Sequence, residues 1–301
     1  MPLVLSNDAI DAIALPELVE RLEGMRIDLT SADCAAECGH LLARLARDGD
    51  FLGDMMIDDL KAGFAGQVAQ NRYSAQVFLL HRSGRRFFLR ANMWPAAADY
   101  AYQASGPATF AYDYPHDHNF SFLTVGYYGP GYVSDYYERG DEGADFAGHI
   151  GAPIPIRFVE TSALGVGKLM LYRAHRDIHR QLPPASMSVS LNIMEEGDHV
   201  PWRDQYVIDL DKGVIADTPT LTSAEAIMRC AVHLCGANGV DLAADFARSH
   251  PVPRMRANAI AALAAVAEGE GARAVVLERG AADADARVAG ESRRRLAMMG
   301  G

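Results

Sequence analysis

Cysteine is scarce in this chain: four in 301 residues, set as two close pairs, Cys34/Cys38 and Cys230/Cys235. A secreted scaffold built on disulfides is shorter and richer in cysteine, so reduced thiols in a cytoplasmic protein are expected. Long apolar runs are missing, and none reaches the roughly 18–20 residues that a membrane-spanning helix needs. The stretch from Met1 to Leu22 carries Asp8, Asp11, Glu17 and Glu20 where a secretory signal has a basic start and an apolar core. Basic charge is short too. The 28 Lys and Arg stand against 39 Asp and Glu, a net charge of -11, whereas nucleic-acid binders carry a basic footprint. Neither nucleic acid nor membrane is therefore an expected partner. The chain has no Gly-x-Ser-x-Gly elbow and no Walker loop. Gly129-Pro130-Gly131 reads as a turn or rim loop, because no helix follows that could complete a phosphate cradle. The acid pairs Glu195-Glu196 and Asp209/Asp211 read as turn or surface residues.

What is present belongs to an ordinary folded protein, with 50 % hydrophobic and 22 % charged residues. Three stretches differ in pattern. Residues 1–72 read as a helical segment packed on the rest. Ser31 is its clearest N-cap, and Cys34, Cys38, Leu41, Leu42 and Leu45 share one helical face that closes at Gly49. With His40 nearby, Cys34 and Cys38 could suggest zinc, but no second ligand pair accompanies them, and small apolar residues on a buried face are the better reading. Residues 73–215 break into short apolar runs between Gly, Pro and Asp. Ala75 to Leu80 and Arg86 to Arg90 flank a hairpin at Ser83-Gly84. Further runs are Phe120 to Tyr128, Tyr132 to Tyr137, Ile154 to Glu160, Lys168 to Tyr172, Met187 to Met194 and Gln205 to Asp209. Many short strands with no helical pattern between them predict an antiparallel sandwich or barrel. Residues 220–301 are alanine-rich and helical. Arg254, Met255, Ala257 and Leu263 recur 33 positions on as Arg287, Val288, Gly290 and Leu296, and helices near Ala224 to Leu234 and Leu242 to Arg248 could supply another unit. That period fits stacked helix pairs of the HEAT type, although a plain helical cap explains the stretch as well as a partner-binding role does.

The segment richest in chemistry is Tyr114-Pro115-His116-Asp117-His118-Asn119-Phe120. Alternate residues of a strand share a face, so His116 and His118 can aim two imidazoles at one point inside a barrel. A third ligand must come from another strand. His179 is the first candidate and His175 the second, since His175 precedes a charged pair and suits a turn. Asp117, between the two histidines, should face away from the metal. Tyr112, Tyr114, Tyr127, Tyr128, Tyr132, Tyr136 and Tyr137 crowd this motif, and Tyr172 lies on the strand before His179. Such rings can line a substrate pocket or simply pack the barrel. Pro95 should end the strand that holds Asn92 and Trp94. His81, His149, His199, His233 and His250 are scattered and carry no assigned role.

An H-x-H pair leaving a turn into a strand, then a lone His on a later strand about fifty to sixty residues on, resembles the two-motif core of the cupin superfamily. Gly126 and Gly167 sit near that family's turn glycines. Within it, His116-Asp117-His118 and Ile178-His179-Arg180, the latter leading to Ser188-Val189-Ser190-Leu191, are most similar to thiol dioxygenases of the cysteine dioxygenase type. The likeness covers roughly residues 75–210. It implies an α+β fold: a cupin-type antiparallel β-barrel (double-stranded β-helix), here with N-terminal helices and a C-terminal helical repeat. Common cupins add a carboxylate ligand separated from the pair by three or four residues. Those positions are Phe122 and Leu123, so three neutral imidazoles with no acid are implied, as in the thiol dioxygenases. Ligand type alone leaves Fe, Zn, Cu and Ni open, and the resemblance selects Fe(II) with O2 as co-substrate.

The sequence departs from those enzymes in places. The positions of their cysteine–tyrosine cross-link fall near Leu123 and Met194, and their histidine after the distal ligand falls near Asn192. Arg90 could take the part of their carboxylate-binding arginine, or be a surface residue at a strand end. The 2-oxoglutarate oxygenases fit less well, since His118 stands where they have an acid and no Lys or Arg occurs from Gln181 to Asn192. The leading expectation is thus a non-haem iron oxygenase whose metal is held by His116, His118 and His179, with Tyr114, Tyr172 and Arg90 as candidate catalytic residues. Its substrate would be a small amino-acid-like molecule or a peptide, oxidised at sulfur or hydroxylated at carbon. The alternatives are a non-redox metal-dependent isomerase or lyase, and a small-ligand-sensing binding protein whose helical tail meets a partner. Cupins commonly dimerise, which makes a homodimer the implied assembly.

Overall fold

The computed structural model describes residues 2–84, 86–140 and 146–300. They form two compact units, one of residues 1–139 and 156–200 and one of residues 140–155 and 201–301. The fold is α+β.

In the first unit β1 (Leu3–Leu5) is followed by α1 (Leu15–Glu23), α2 (Ala32–Leu45), α3 (Phe51–Lys61) and α4 (Ala65–Gln70), then by β2 (Val77–Ser83), β3 (Phe87–Trp94) and the short α5 (Tyr100–Ser105). After these come β4 (Phe122–Tyr128), β5 (Val133–Arg139), β6 (Ile156–Ala163), β7 (Leu169–Tyr172), β8 (Asp177–Leu182) and β9 (Ser188–Glu195). One sheet has the order β1-β7-β4-β9-β3-β2 and the other β6-β5-β8, with every pair antiparallel. From β4 to β5, β6 to β7, β7 to β8 and β8 to β9 the chain changes sheet. The set β3-β9-β4-β7 against β8-β5-β6 is the strand order of a jelly roll, or double-stranded β-helix, lacking one strand beside β8. Residues 112–118 fill that place through bridges Tyr112↔Gln181 and His116↔His179. They make no regular ladder, because Pro115 has no N–H to give and Ala111 and Asp113 are left-handed, at φ 53° and 55°.

Strand alternation decides which residues meet the site. Phe87, Leu89, Ala91, Leu123, Val125, Leu169, Leu171, Leu191 and Ile193 point outward and are sealed by Leu18, Leu22, Leu41, Leu42 and Leu45 of α1 and α2. Their neighbours Phe88, Trp94, Phe122, Met170, Tyr172 and Met194 point inward and join Tyr132 and Tyr136 in a second cluster. Burial of each large apolar side chain is worth about 1.5–3 kcal/mol, so the two faces cannot be exchanged. Ser31 caps α2 by accepting from the Cys34 N–H, and Cys38 is buried on the apolar face of that helix. The helix stops at Leu45, four residues before Gly49. Gly129 and Gly131, at φ 77° and 83°, turn the chain from β4 into β5, and a Cβ on Gly131 would lie 2.1 Å from the Leu164 carbonyl oxygen. The edge strand β1 lies inside the stretch read as helical; three residues are too few for a period to show.

On the smaller sheet, Glu138 accepts from Arg176 Nε at 2.8 Å, Arg157 Nη2 at 2.9 Å and Arg173 Nη2 at 3.1 Å. The Arg176 hydrogen bond, with the Arg173 bond behind it, holds the carboxyl at about 2 against an ordinary 4.5. A depressed carboxyl stabilises the fold above its unfolded pKa and loses that contribution as pH falls from about 4.5 to about 2. Replacing Glu138 by Gln is therefore expected to cost about 1 kcal/mol at pH 7, as in a partly screened surface network. The difference should shrink to a small remnant at pH 2, read from urea midpoints at the two pH values.

In the second unit β10 (Val207–Asp209) and β11 (Val214–Asp217) form a hairpin, followed by α6 (Ser223–Leu234), α7 (Gly236–Ser249), α8 (Pro253–Val266), α9 (Gly269–Ala281) and α10 (Ala286–Ala297). Thr222 and Glu225 make a complete capping box at the start of α6. The positions that recur at an offset of 33 lie on α8 and α10. Met255 and Val288 are both buried, and Arg254 and Arg287 both reach the carboxylate of Asp204. Among the described residues no helix is long and apolar enough to cross a membrane.

Candidate metal centre

On β8, His179 and Gln181 face inward and Arg180 faces outward, where it donates to Asp113 at 2.6 Å. The sequence predicts only a lone histidine here, because charged Asp177 and Arg180 give the segment the look of a turn. His179 is paired with His116 by two backbone hydrogen bonds of 3.0 Å and lies opposite Tyr136 on its other side. His118, two residues on from His116, turns its ring the same way. The three Nε2 atoms converge: His118 to His179 is 3.0 Å and His179 to His116 is 3.2 Å. Donors of one each from His116, His118 and His179 all lie within 4.8 Å of one another.

The chemistry of these donors fits a cation. His116 and His179 are buried, at 5 % and 1 % exposure. Burial first, and then neighbouring positive character, pushes His179 and His118 well below the usual imidazole range, and burial lowers His116 as well. All three are neutral at pH 7, each with a lone pair to offer. His116 Nδ1 lies 2.6 Å from the Tyr114 carbonyl oxygen, which fixes its proton there and leaves Nε2 as the donor. A metal–nitrogen bond of roughly 2.1 Å spaces ligands about 3.0 Å apart at right angles and about 3.4 Å apart in a tetrahedron. The separations of His179 from His118 and from His116 lie between these values. Three lone pairs brought this close, where protonation is opposed by burial, are reconciled by a shared metal ion.

The surroundings sort the other candidates. Tyr172 lies beside the cluster, its ring centroid 4.9 Å from that of His179, stacked on Phe122 at 4.3 Å. Its hydroxyl donates to Tyr136 Oη at 3.2 Å and is 3.4 Å from Tyr132 Oη. Burial raises all three phenols, so they remain protonated hydrogen-bond donors. Phe122, at one of the positions where common cupins carry an acid, packs edge-on against His118 at 4.8 Å. Tyr114 stands next to His116, ring centroids 5.2 Å apart. Arg90 is not at a strand end, because β3 continues to Trp94 with Asn92 and Trp94 still alternating inward before Pro95. Its guanidinium lies over Tyr73 at 5.8 Å and Phe88 at 6.0 Å. Burial lowers it to about 10, and its charge is felt by both Tyr132 and His118.

Other members of the tyrosine crowd go elsewhere. Tyr112 donates to the Pro95 carbonyl at 2.9 Å, Tyr127 donates to the Asp48 carbonyl at 2.9 Å on the outer face, and Tyr128 is 61 % exposed. His175 sits in the turn before β8 with φ 60° and is not one of the three converging histidines. Its Nδ1 is 3.7 Å from the carboxylate of fully buried Asp117. Sequence reasoning passed over Gln181, whose side-chain nitrogen is 3.4 Å from His179 Nε2. Its spacing of two from His179 on a strand is the signal that could have found it. Asn92 and Thr124 add unpartnered buried oxygens on the barrel strands.

No family model matches the chain, and no curated protein matches it. Solved structures do. A cupin domain from Bordetella pertussis Tohama I is 14 % identical over 42 % of this chain and 99 % of its own, with a TM-score of 0.24. A hydroquinone 1,2-dioxygenase, PnpCD, solved with Cd2+ and 4-hydroxybenzonitrile, is 13 % identical over 44 % of this chain and 71 % of its own, with a TM-score of 0.25. The DMSP lyase DddQ from Ruegeria pomeroyi DSS-3 is 12 % identical over 64 % and 78 %, with a TM-score of 0.23. Scores of this size carry no argument about chemistry. The barrel is read from its own strand order, and the site from three histidines that this order brings together.

Proposed function

We propose that the chain is a non-haem Fe(II) oxygenase of the three-histidine type, using O2 without 2-oxoglutarate on an amino-acid-like or peptide substrate. The observation that carries this reading is the convergence of three neutral Nε2 donors with no carboxylate among them, Phe122 filling a place where an acid ligand would stand. Fe(II) held there would keep its full charge, bring substrate and O2 together and supply the electrons that activate O2. The chain does the rest. Arg90 meets a substrate carboxylate, its charge heightened by the low-dielectric barrel wall. Tyr172, hydrogen-bonded to Tyr136 and beside Tyr132, is a neutral phenol next to the metal site that turns its one proton toward a substrate oxygen. The carbonyl of Tyr114 holds His116 in the ligating tautomer, and the rings of Phe120 and Phe122, 5.2 Å and 4.8 Å from His118, exclude water.

The test is O2 uptake by anaerobically Fe(II)-loaded protein offered thiols, amino acids and short peptides. Consumption that is stoichiometric with product, and abolished in His118→Ala, is the expected result. Full occupancy by zinc or nickel with no O2 uptake would move the protein to a Lewis-acid isomerase or lyase. Failure to bind any metal would leave a ligand-sensing barrel.

A further inference from the structure

We propose that Gln181 is a fourth donor of the metal centre, binding the ion through its side-chain carbonyl. The inference rests on the three-histidine metal reading and adds a ligand to it. Gln181 is 4 % exposed and follows His179 at the same-face spacing of β8. Its terminal amide nitrogen is 3.4 Å from His179 Nε2, beside donor separations of 3.0 and 3.2 Å within the triad, so the amide end stands at ligand-to-ligand distance from one of the three donors. The other end, Oε1, is buried and accepts no hydrogen bond, although Ser134 lies opposite Gln181 on the neighbouring strand. A buried amide whose oxygen goes unused is unfavourable. A half-turn about the last side-chain bond exchanges oxygen for nitrogen at the same point. A cation on the triad favours the carbonyl there, because the oxygen lone pair then meets positive charge and the NH2 group no longer faces the His179 lone pair. Amide oxygen is also a hard neutral donor that complements imidazole on a divalent first-row ion. The resulting set of four neutral ligands leaves the charge of the ion undiminished.

The probe is Co(II), titrated into apo protein in competition with a chromophoric chelator, for wild type, Gln181→Leu and Gln181→Glu. Far-UV circular dichroism and apo-protein melting confirm that each variant is folded. The expected result is one Co(II) per chain for the wild type, binding weakened at least tenfold in Gln181→Leu, and binding tightened at least tenfold in Gln181→Glu, because a carboxylate at a ligand position adds charge attraction. A residue that merely packs the barrel would give no tightening, since a buried acid without a metal partner is unfavourable. Unchanged affinity in Gln181→Leu, or affinity in Gln181→Glu no tighter than wild type, overturns the proposal while leaving the three histidines intact. If Gln181→Glu does not fold, the loss of affinity in Gln181→Leu carries the test by itself. A wild type that takes up no Co(II) overturns the three-histidine reading itself, and this proposal with it.

Discussion

Protein purified with His179 replaced by alanine is expected to hold no iron, against about one ion per chain in the wild type. His179 is the central member of the cluster, paired by backbone to His116 and 3.0 Å and 3.2 Å from the other two donors. Removing it leaves two ligands from one short irregular segment. The consequence reaches stability. An ion present at a hundred times its dissociation constant stabilises the folded state by about 2.7 kcal/mol. For a unit of this size that is a rise of about 5–10 °C in melting temperature. The rise should be seen when Fe(II) is added anaerobically to wild-type apo protein, and should be absent from His179→Ala. His175→Asn supplies the control. His175 lies in a left-handed turn that asparagine tolerates, and it is expected to leave both metal content and the thermal shift unchanged. Loss of iron in His175→Asn with retention in His179→Ala would reverse the ligand assignment.

The second large effect is expected in the other unit. Arg254 is 3 % exposed and donates to Glu225 at 2.6 Å, Asp204 at 2.6 Å and the Pro201 carbonyl at 2.8 Å. Removing one partner of a buried ion pair costs about 3–5 kcal/mol, because the charge left behind has lost its water as well as its counter-ion. Arg254→Ala strands Glu225, whose remaining bonds are those of the capping box with Thr222, and leaves Asp204 to Arg287 alone. A loss of about 3 kcal/mol in the urea unfolding of this unit is the expected result, with the three-histidine site keeping its metal. A loss below about 0.5 kcal/mol, the range of ordinary surface changes, would mean that the network is not held in solution. Arg287→Ala should cost less, since Asp204 then keeps Arg254.

Both predictions begin from features visible in the order of residues. His116 and His118 announce themselves by spacing, because alternation on extended chain is a property of the backbone and needs no tertiary information. The short strands between Gly, Pro and Asp, the cap at Ser31 and the recurrence of Arg254 at Arg287 are legible for the same reason: each is set by neighbours within a few turns of chain or by direct repetition. The resemblance to cupins adds an expectation about metal and oxygen that spacing alone does not contain, and that expectation awaits the iron and O2 measurements.

Other features depend on residues far apart in sequence. Arg90 reads as a strand end because Asn92 is polar and Pro95 follows. Pairing of β3 with β9 carries it into the middle of a strand, with Asn92 opposite Ser190. Nothing near Tyr127 or Tyr132 separates an outward ring from an inward one; that depends on the turn at Gly129–Gly131, after which the chain enters the other sheet. Leu3–Leu5 becomes a strand only because β7 offers it an unpaired edge. Gln181 shares a strand face with His179 by its spacing of two, but what that face meets is set only once β8 lies between β5 and residues 112–118. By itself, then, the sequence determined which side chains could share a face of the chain, because that follows from local backbone geometry. Tertiary structure alone decided which faces meet, because burial of apolar surface from both sheets selects one register, and that register sets His179 against His116 and aims their nitrogens at a single point.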